Sequence, residues 1–292
     1  MSPDLDVVTE APTSRLGRLG AWFRRGALQT TLIIVALFWM IPGIGLLVTS
    51  FRPLENVAGS GWWTTVSSPG ELTIQNYSNL IGDESLIDAV FNTFLIAVPS
   101  TVIPILLAAA AGYALAWIDF KGRDVVFLLV IAMLMVPLQM ALIPAFRMFR
   151  SMGLGGLPSV WLFHTAFGLP FAIFLMRNYY AGLPASLMEA ARIDGANEWK
   201  IFVRIVLPLG FPAIASLAIF QFTWTWNDLL VALIFSGDRA PLMVWISQRL
   251  GQFGSGIDII AAGVFISALV PLGIFFAFQK YFEAGLLGGS VK

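Results

Sequence analysis

Six stretches of this chain are almost free of formal charge: approximately Thr30 to Phe51, Ala89 to Trp117, Val125 to Phe146, Ser159 to Met176, Leu209 to Phe235 and Ile259 to Gln279. Only the fifth holds an Asp, Glu, Lys or Arg, namely Asp228. Each is comparable in length to the roughly 20 residues that cross about 30 Å of hydrocarbon. Backbone placed in lipid must satisfy its own N–H and C=O groups, so segments this long and apolar become helices. Mean hydropathy is +0.83, with 58% hydrophobic and 12% charged residues among 292, too few charges to solvate a globule of this size. The expectation is an all-α membrane protein with six transmembrane helices.

Lys and Arg set the orientation. With the N-terminus inside, the inner segments hold Arg15, Arg18, Arg24, Arg25, Lys121, Arg123, Arg177, Arg192, Lys200, Arg204, Lys280 and Lys292. The outer ones hold Arg52, Arg147, Arg150, Arg239 and Arg249, which is the asymmetry of the positive-inside rule. Both termini and the segment around Glu189 are therefore expected in the cytoplasm. Residues 1–28 read as a cytoplasmic tail, mostly unstructured to about Arg25, ahead of a membrane domain over 29–292. The first apolar run is too long for a cleavable signal and reads as an anchor. Without cysteine there is no disulfide, thiolate metal site or cysteine nucleophile. The outer segments are about 52–88, 147–158 and 236–258. Trp62, Trp63 and Tyr77 in the first suit an aromatic belt at headgroup level. The last, rich in Gly, Ser and Gln, is either a contact loop or a connector.

The segment 181–208 is built differently. Ser186-Leu187-Met188-Glu189 matches a capping box, so a helix is expected to start there. Gly195 supplies a left-handed turn and Asn197 a second cap. Trp199, Phe202, Val203 and Val206 then fall on one apolar helical face, closed by Pro208. The expected shape is helix, glycine turn, helix, at the membrane surface. Ala190 and Ala191 offer little side chain, so another protein's surface can approach closely; as a plain alternative, they are good helix formers on a helix resting on lipid.

The spacing Glu189-Ala190-Ala191, Gly195, Ile205, Leu207-Pro208 resembles the cytoplasmic signature of permease subunits of ABC importers. Leu72 to Tyr77, Trp226-Asn227-Asp228 and the ending from Lys280 to Lys292 extend the likeness to carbohydrate-uptake permeases of the maltose-transporter type, in the smaller of the two permease subunits. Val136 to Pro144 and Trp224 to Leu230 look like the subgroup handling α-glucosides or glucosylglycerol. The resemblance implies a type I ABC importer permease fold in the plasma (inner) membrane. It implies a heterodimer with a second permease, two copies of an ABC ATPase carrying ATP and Mg, and an extracytoplasmic sugar-binding protein. No cofactor is expected in this chain and no nucleic acid as partner. Glu189, Ala190, Ala191, Asp194, Gly195, Ile205, Leu207 and Pro208 would couple to the ATPase, and Gly251, Gln252, Phe253 and Gly254 would approach the sugar cleft of the binding protein. The chain has no Gly-rich phosphate loop of its own, so it is not expected to be an enzyme.

Polar residues within the spans leave two readings open. Gln139, Gln221, Trp224, Trp226, Asn227 and Asp228 either line a substrate path, with indoles stacking on a sugar, or hold helices together. Gln139, between Pro137 and Pro144, marks a break in the third span. His164 shares its span with no carboxylate and is expected to bond between helices. An ion-coupled secondary transporter is the alternative, with Asp228 as its coupling acid.

Overall fold

The computed structural model describes residues 15–250 and 256–287, and every regular element among them is helical. α1 (Arg15–Ser50) starts well before the first apolar run. The tail is thus helical from Arg15 onward, not unstructured to Arg25, because after Pro12 the sequence is rich in the helix formers Leu, Arg and Ala and free of proline until Pro42. Little of α1 is covered by the rest of the chain: of its span Gly26–Ser50, the most apolar window is 6% buried.

After α1 come α2 (Leu54–Gly59), 3-10 turns at Trp62–Val66 and Pro69–Glu71, and α3 (Gln75–Ile81). This segment clasps the end of α1. The Asn76 amide donates to the carbonyls of Ser50 (3.0 Å) and Arg52 (2.9 Å), and the hydroxyls of Tyr77 and Ser50 lie 2.8 Å apart. Trp62 lies over Gly45, where a Cβ would stand 2.6 Å from the indole nitrogen. Trp62 and Tyr77 therefore pack on α1, and only Trp63, 64% exposed, is free to serve in an aromatic belt. Arg52 is buried. Its guanidinium donates to the carbonyls of Ser60 (3.0 Å), just past the end of α2, and of Asn56 (2.9 Å), which also accepts from the Ser60 N–H. Arg52→Met keeps the bulk but removes those donors, so the 54–81 segment is expected to detach. Limited proteolysis of the purified protein should then cut there several times faster, and unchanged cleavage would contradict this role.

α4 (Glu84–Trp117) crosses the whole bundle. α5 (Arg123–Met133) and α6 (Leu138–Ser151) follow, bent by 101° to each other. The break expected in the third span is thus present, and it divides Val125 to Phe146 into two arms. Pro137 has no N–H and drives Val136 out of helical geometry, which ends α5 and starts α6. α7 (Leu157–Ala181) packs along α4. Then come α8 (Ala185–Ile193), α9 (Glu198–Ile201), a π-helical turn at Phe202–Val206, α10 (Leu207–Leu209) and α11 (Phe211–Trp226). The fifth span breaks again before α12 (Leu230–Phe235), because the Asp228 carboxylate accepts from the Val231 and Ala232 N–H groups and starts a new helix. α13 (Leu242–Gln248) is buried against α4 and α14 (Ile257–Leu287). Among the described residues, four helices are long and apolar enough to cross a membrane, or six if each bent pair forms one span.

The helix prolines determine much of the interior. Proline cannot donate to the carbonyl four residues earlier. Pro99 frees the carbonyl of Leu95, which accepts from the indole of Trp161 in α7 at 2.8 Å. Pro104 frees that of Ser100, which accepts from the amide of Gln221 in α11 at 3.1 Å. Pro271 frees that of Ser267, which accepts from the indole of Trp226 at 3.0 Å. Gln221 (5% exposed) and Trp226 (1%) therefore lie in the core of this subunit, where they hold helices together, the second of the two readings left open for them. Low-polarity surroundings make such donors costly to leave out, since water cannot replace them.

Candidate functional site

α8, the Gly195 turn and the helix after it form the expected helix-turn-helix. Gly195 has φ +77°, with open space around its Cα, so its backbone conformation and not crowding favours glycine. Asn197 caps α9 by accepting from the Lys200 N–H at 2.9 Å. The capping box does not form. α8 begins one residue before Ser186, at Ala185 with Pro184 as its cap residue, so Ser186 already lies within the helix and makes no cap. Pro184 is extended and has no N–H to lose, which suits the position before a first turn.

The structure divides the signature residues into two sets. Glu189, Ala190, Asp194, Gly195 and Pro208 are exposed. Ala191 is buried with Met188, Ile201, Phe202 and Val206 in a cluster with Tyr113, Met176 and Tyr180, and Ile205 and Leu207 are half-buried against it. These three anchor the loop and do not face outward. The single apolar face expected for Trp199, Phe202, Val203 and Val206 is also corrected: Phe202 and Val206 are buried, whereas Trp199 is 70% and Val203 39% exposed. The π-helical turn, closed by the Leu207 N–H on the Phe202 carbonyl, adds a residue and shifts the helical period. A wider turn here also relieves the clash between the Pro208 ring and the carbonyl before it.

The exposed side carries two large apolar groups, Ile193 (85% exposed) and Trp199, flanking Asp194 and Gly195. Sequence reasoning missed Ile193, although an isoleucine inside an otherwise polar turn is a usable signal. It also missed Glu198. The Glu198 carboxylate accepts from the Tyr113 hydroxyl near the C-terminal end of α4 and, at 3.0 Å, from Arg192 Nε. Arg192 donates on to the carbonyl of Trp117 (3.2 Å), and the Trp117 indole to that of Tyr180 (2.9 Å). The helix-turn-helix is thus fastened to the ends of α4 and α7 by a polar cluster as well as by packing.

At the other end of α4, Asp83 caps the helix by accepting from the Ser85 N–H at 2.9 Å. Arg249, following α13, donates to Asp83 (3.2 Å) and Ser85 (3.0 Å), and lies 3.3 Å above the Trp245 ring; the Trp245 indole donates to Ser85 at 2.8 Å. The Ser85 hydrogen bonds, and after them Arg249, hold the Asp83 carboxyl below its usual range. The pair therefore contributes fully above the ordinary aspartate range and is lost as pH falls through the lowered value. Gly251, Gln252, Phe253 and Gly254 lie outside the described residues.

His164 is fully buried in α7, edge-on to Trp224 at 5.0 Å between ring centroids. Its Nε2 lies 3.5 Å from an Asp228 carboxylate oxygen, close enough for an ion pair and too long for a well-aligned hydrogen bond. The acid missing from its own span thus comes from the break in the fifth. Gln139, Trp224 and Asn227 are exposed on this chain, and Asp228 is half-buried. Asp228→Leu leaves two first-turn N–H groups of α12 without acceptors, at about 1–3 kcal/mol each for buried groups. The purified protein is expected to melt several degrees lower, Asp228→Asn much less so, and equal melting of both would contradict the capping role.

The class defined by this fold and loop is an importer permease. Residues 85–287 match the family described as binding-protein-dependent transport system inner membrane component, and the chain belongs to it. Members are multi-pass inner-membrane, channel-forming subunits whose ATPase is a separate chain. The chain is 44% identical to the osmoprotective compounds uptake permease protein GgtD of Synechocystis sp., over 96% of each chain. It is 47% identical to the alpha-glucoside transport system permease protein AglG of Rhizobium meliloti, over 84% of this chain and 67% of that one. Its fold matches a chain in the crystal structure of a bacterial ABC transporter involved in alginate import, with a TM-score of 0.74, 23% identity, and coverage of 92% and 98%. Nothing in these relatives supports an ion-coupled transporter.

Proposed function

We propose that this chain is one permease of an ATP-driven importer of α-glucosides or closely related glucosyl compounds, and that the loop between α8 and α9 docks on the ATPase. The observation carrying this reading is the signature itself. Its residues divide into an inward set that anchors the loop and an outward set, Glu189, Ala190, Asp194 and Gly195, that is exposed among the described residues. Glu189 pairs with a basic residue of the ATPase, Ala190 allows close approach, and Ile193 and Trp199 fill apolar hollows beside it. The identities to GgtD and AglG support the substrate class. The partners are a second permease in a heterodimer, two ATPase copies holding ATP and Mg, and an extracytoplasmic binding protein met by the 236–258 segment. Both termini and the coupling loop are cytoplasmic.

Irregular backbone within a bilayer persists only where protein or a watery path covers it. The break between α5 and α6 leaves Met135 83% and Val136 50% exposed on this chain. That face, with Gln139 beside it, therefore meets the second permease or the translocation path, not lipid. Co-purification of the tagged chain from its native membrane tests the reading. The expected result is recovery of a second permease and an ATPase, with hydrolysis stimulated by an α-glucoside and the binding protein. A chain that purifies without a nucleotide-binding subunit overturns it.

A further inference from the structure

We propose that α4 is a single lever that ties the ATPase-docking loop to the segment around α13 at the far end of the bundle. Each end of the lever is fixed by its own polar clamp. The inference rests on the reading of the α8–α9 loop as the docking surface and goes beyond it.

Three observations carry it. The inner end of α4 is held to the docking loop by Tyr113 and Arg192, which meet on the Glu198 carboxylate. The outer end is held to α13 by Asp83 and Ser85, which Arg249 bridges while stacked on Trp245. Between them runs one continuous helix of 34 residues, about 51 Å at 1.5 Å per residue. Its two internal prolines would ordinarily make it a hinge. Here both freed carbonyls are pinned from neighbouring helices, by Trp161 and by Gln221. Gly112 adds a close seam, since a Cβ there would stand 2.8 Å from the Met176 Cβ and 2.9 Å from the Arg177 backbone nitrogen. A rod pinned at its two weak points and clamped at both tips turns as one body, so displacement of the docking loop moves the α13 end with it.

Such a device is a linkage in series, which a double-mutant cycle can distinguish from two independent supports. Glu198→Ala, Arg249→Ala and the double variant are compared in the complete reconstituted importer. The readouts are ATPase retained on purification and the ratio of hydrolysis with and without binding protein and sugar. Each single variant is expected to retain the ATPase and lower that ratio about threefold to tenfold, the scale of known coupling effects. The double variant is expected to fall no further than the worse single, because a linkage already cut at one end transmits nothing for the other to lose. Losses that multiply overturn the lever. Loss of the ATPase from Glu198→Ala also overturns it, showing that this cluster only shapes the docking loop. The docking reading fails separately, if Glu189→Ala keeps both the ATPase and its stimulation.

Discussion

Gly195→Pro is expected to abolish sugar-stimulated ATP hydrolysis by the importer while leaving the chain inserted in the membrane. Gly195 holds φ at +77°, and its N–H donates to the Arg192 carbonyl at 3.0 Å. Proline removes that donor and fixes φ near −65°. The cost of about 3 kcal/mol or more corresponds, at 1.4 kcal/mol per tenfold, to a roughly hundredfold loss of the docking geometry. Gly195→Ala costs about 1–2 kcal/mol and is expected to retain a measurable fraction. The assay is the hydrolysis rate of the reconstituted complex with binding protein and sugar. Near-normal rates in the proline variant would show that the shape of this turn does not matter for coupling.

The second large effect concerns the seam between α4 and α7. A side chain at Gly112 meets the backbone of Met176 and Arg177, which cannot rotate away as a side-chain tip can. Gly112→Leu must therefore separate two helices that hold the inner core together, and Tyr113 and Met176 leave that core with them. Overpacking of this kind costs about 1–3 kcal/mol where neighbours can adjust and more where they cannot. Without a hydrophobic drive between helices in lipid, close packing is a large part of what holds them. The yield of monodisperse protein in size-exclusion chromatography is expected to fall about tenfold for Gly112→Leu, with Gly112→Ala between it and the unmutated chain. A normal yield for the leucine variant would mean that the seam is looser than these distances imply.

Both glycines illustrate what was legible beforehand. Gly195 belongs to a spaced motif and is followed by the capping residue Asn197, so local chemistry alone identifies its turn. Gly112 sits among alanines in an apolar run, and its role depends on Met176, a residue 64 positions away. The same division explains the spans. Hydropathy outlined them, and the prolines flanking Gln139 marked the break in the third, but nothing marked the break at Asp228, because an average over a window cannot register one carboxylate capturing N–H groups. For Gln221 and Trp226 the sequence alone leaves both a path role and a helix-holding role open. Their partners are carbonyls freed by Pro104 and Pro271, so the deciding signal was a proline on another helix. In the docking loop the motif was evident, but not which half faced inward, since the π-helical turn displaces the period on which face assignments depend.

α1 is attached at one end and nearly bare along the rest. Its C-terminal end is fitted closely to Trp62, Asn76 and Tyr77, whereas Leu32 to Met40 touch little of the described residues. Two regimes of sequence drift should follow within one helix. From Leu28 to Met40, any residue apolar enough to remain in hydrocarbon serves as well as another, so substitutions accumulate as they do in a membrane anchor. At Gly45 and beyond, each exchange must also fit an indole or a hydroxyl already in place, and α1 evolves as a core helix does.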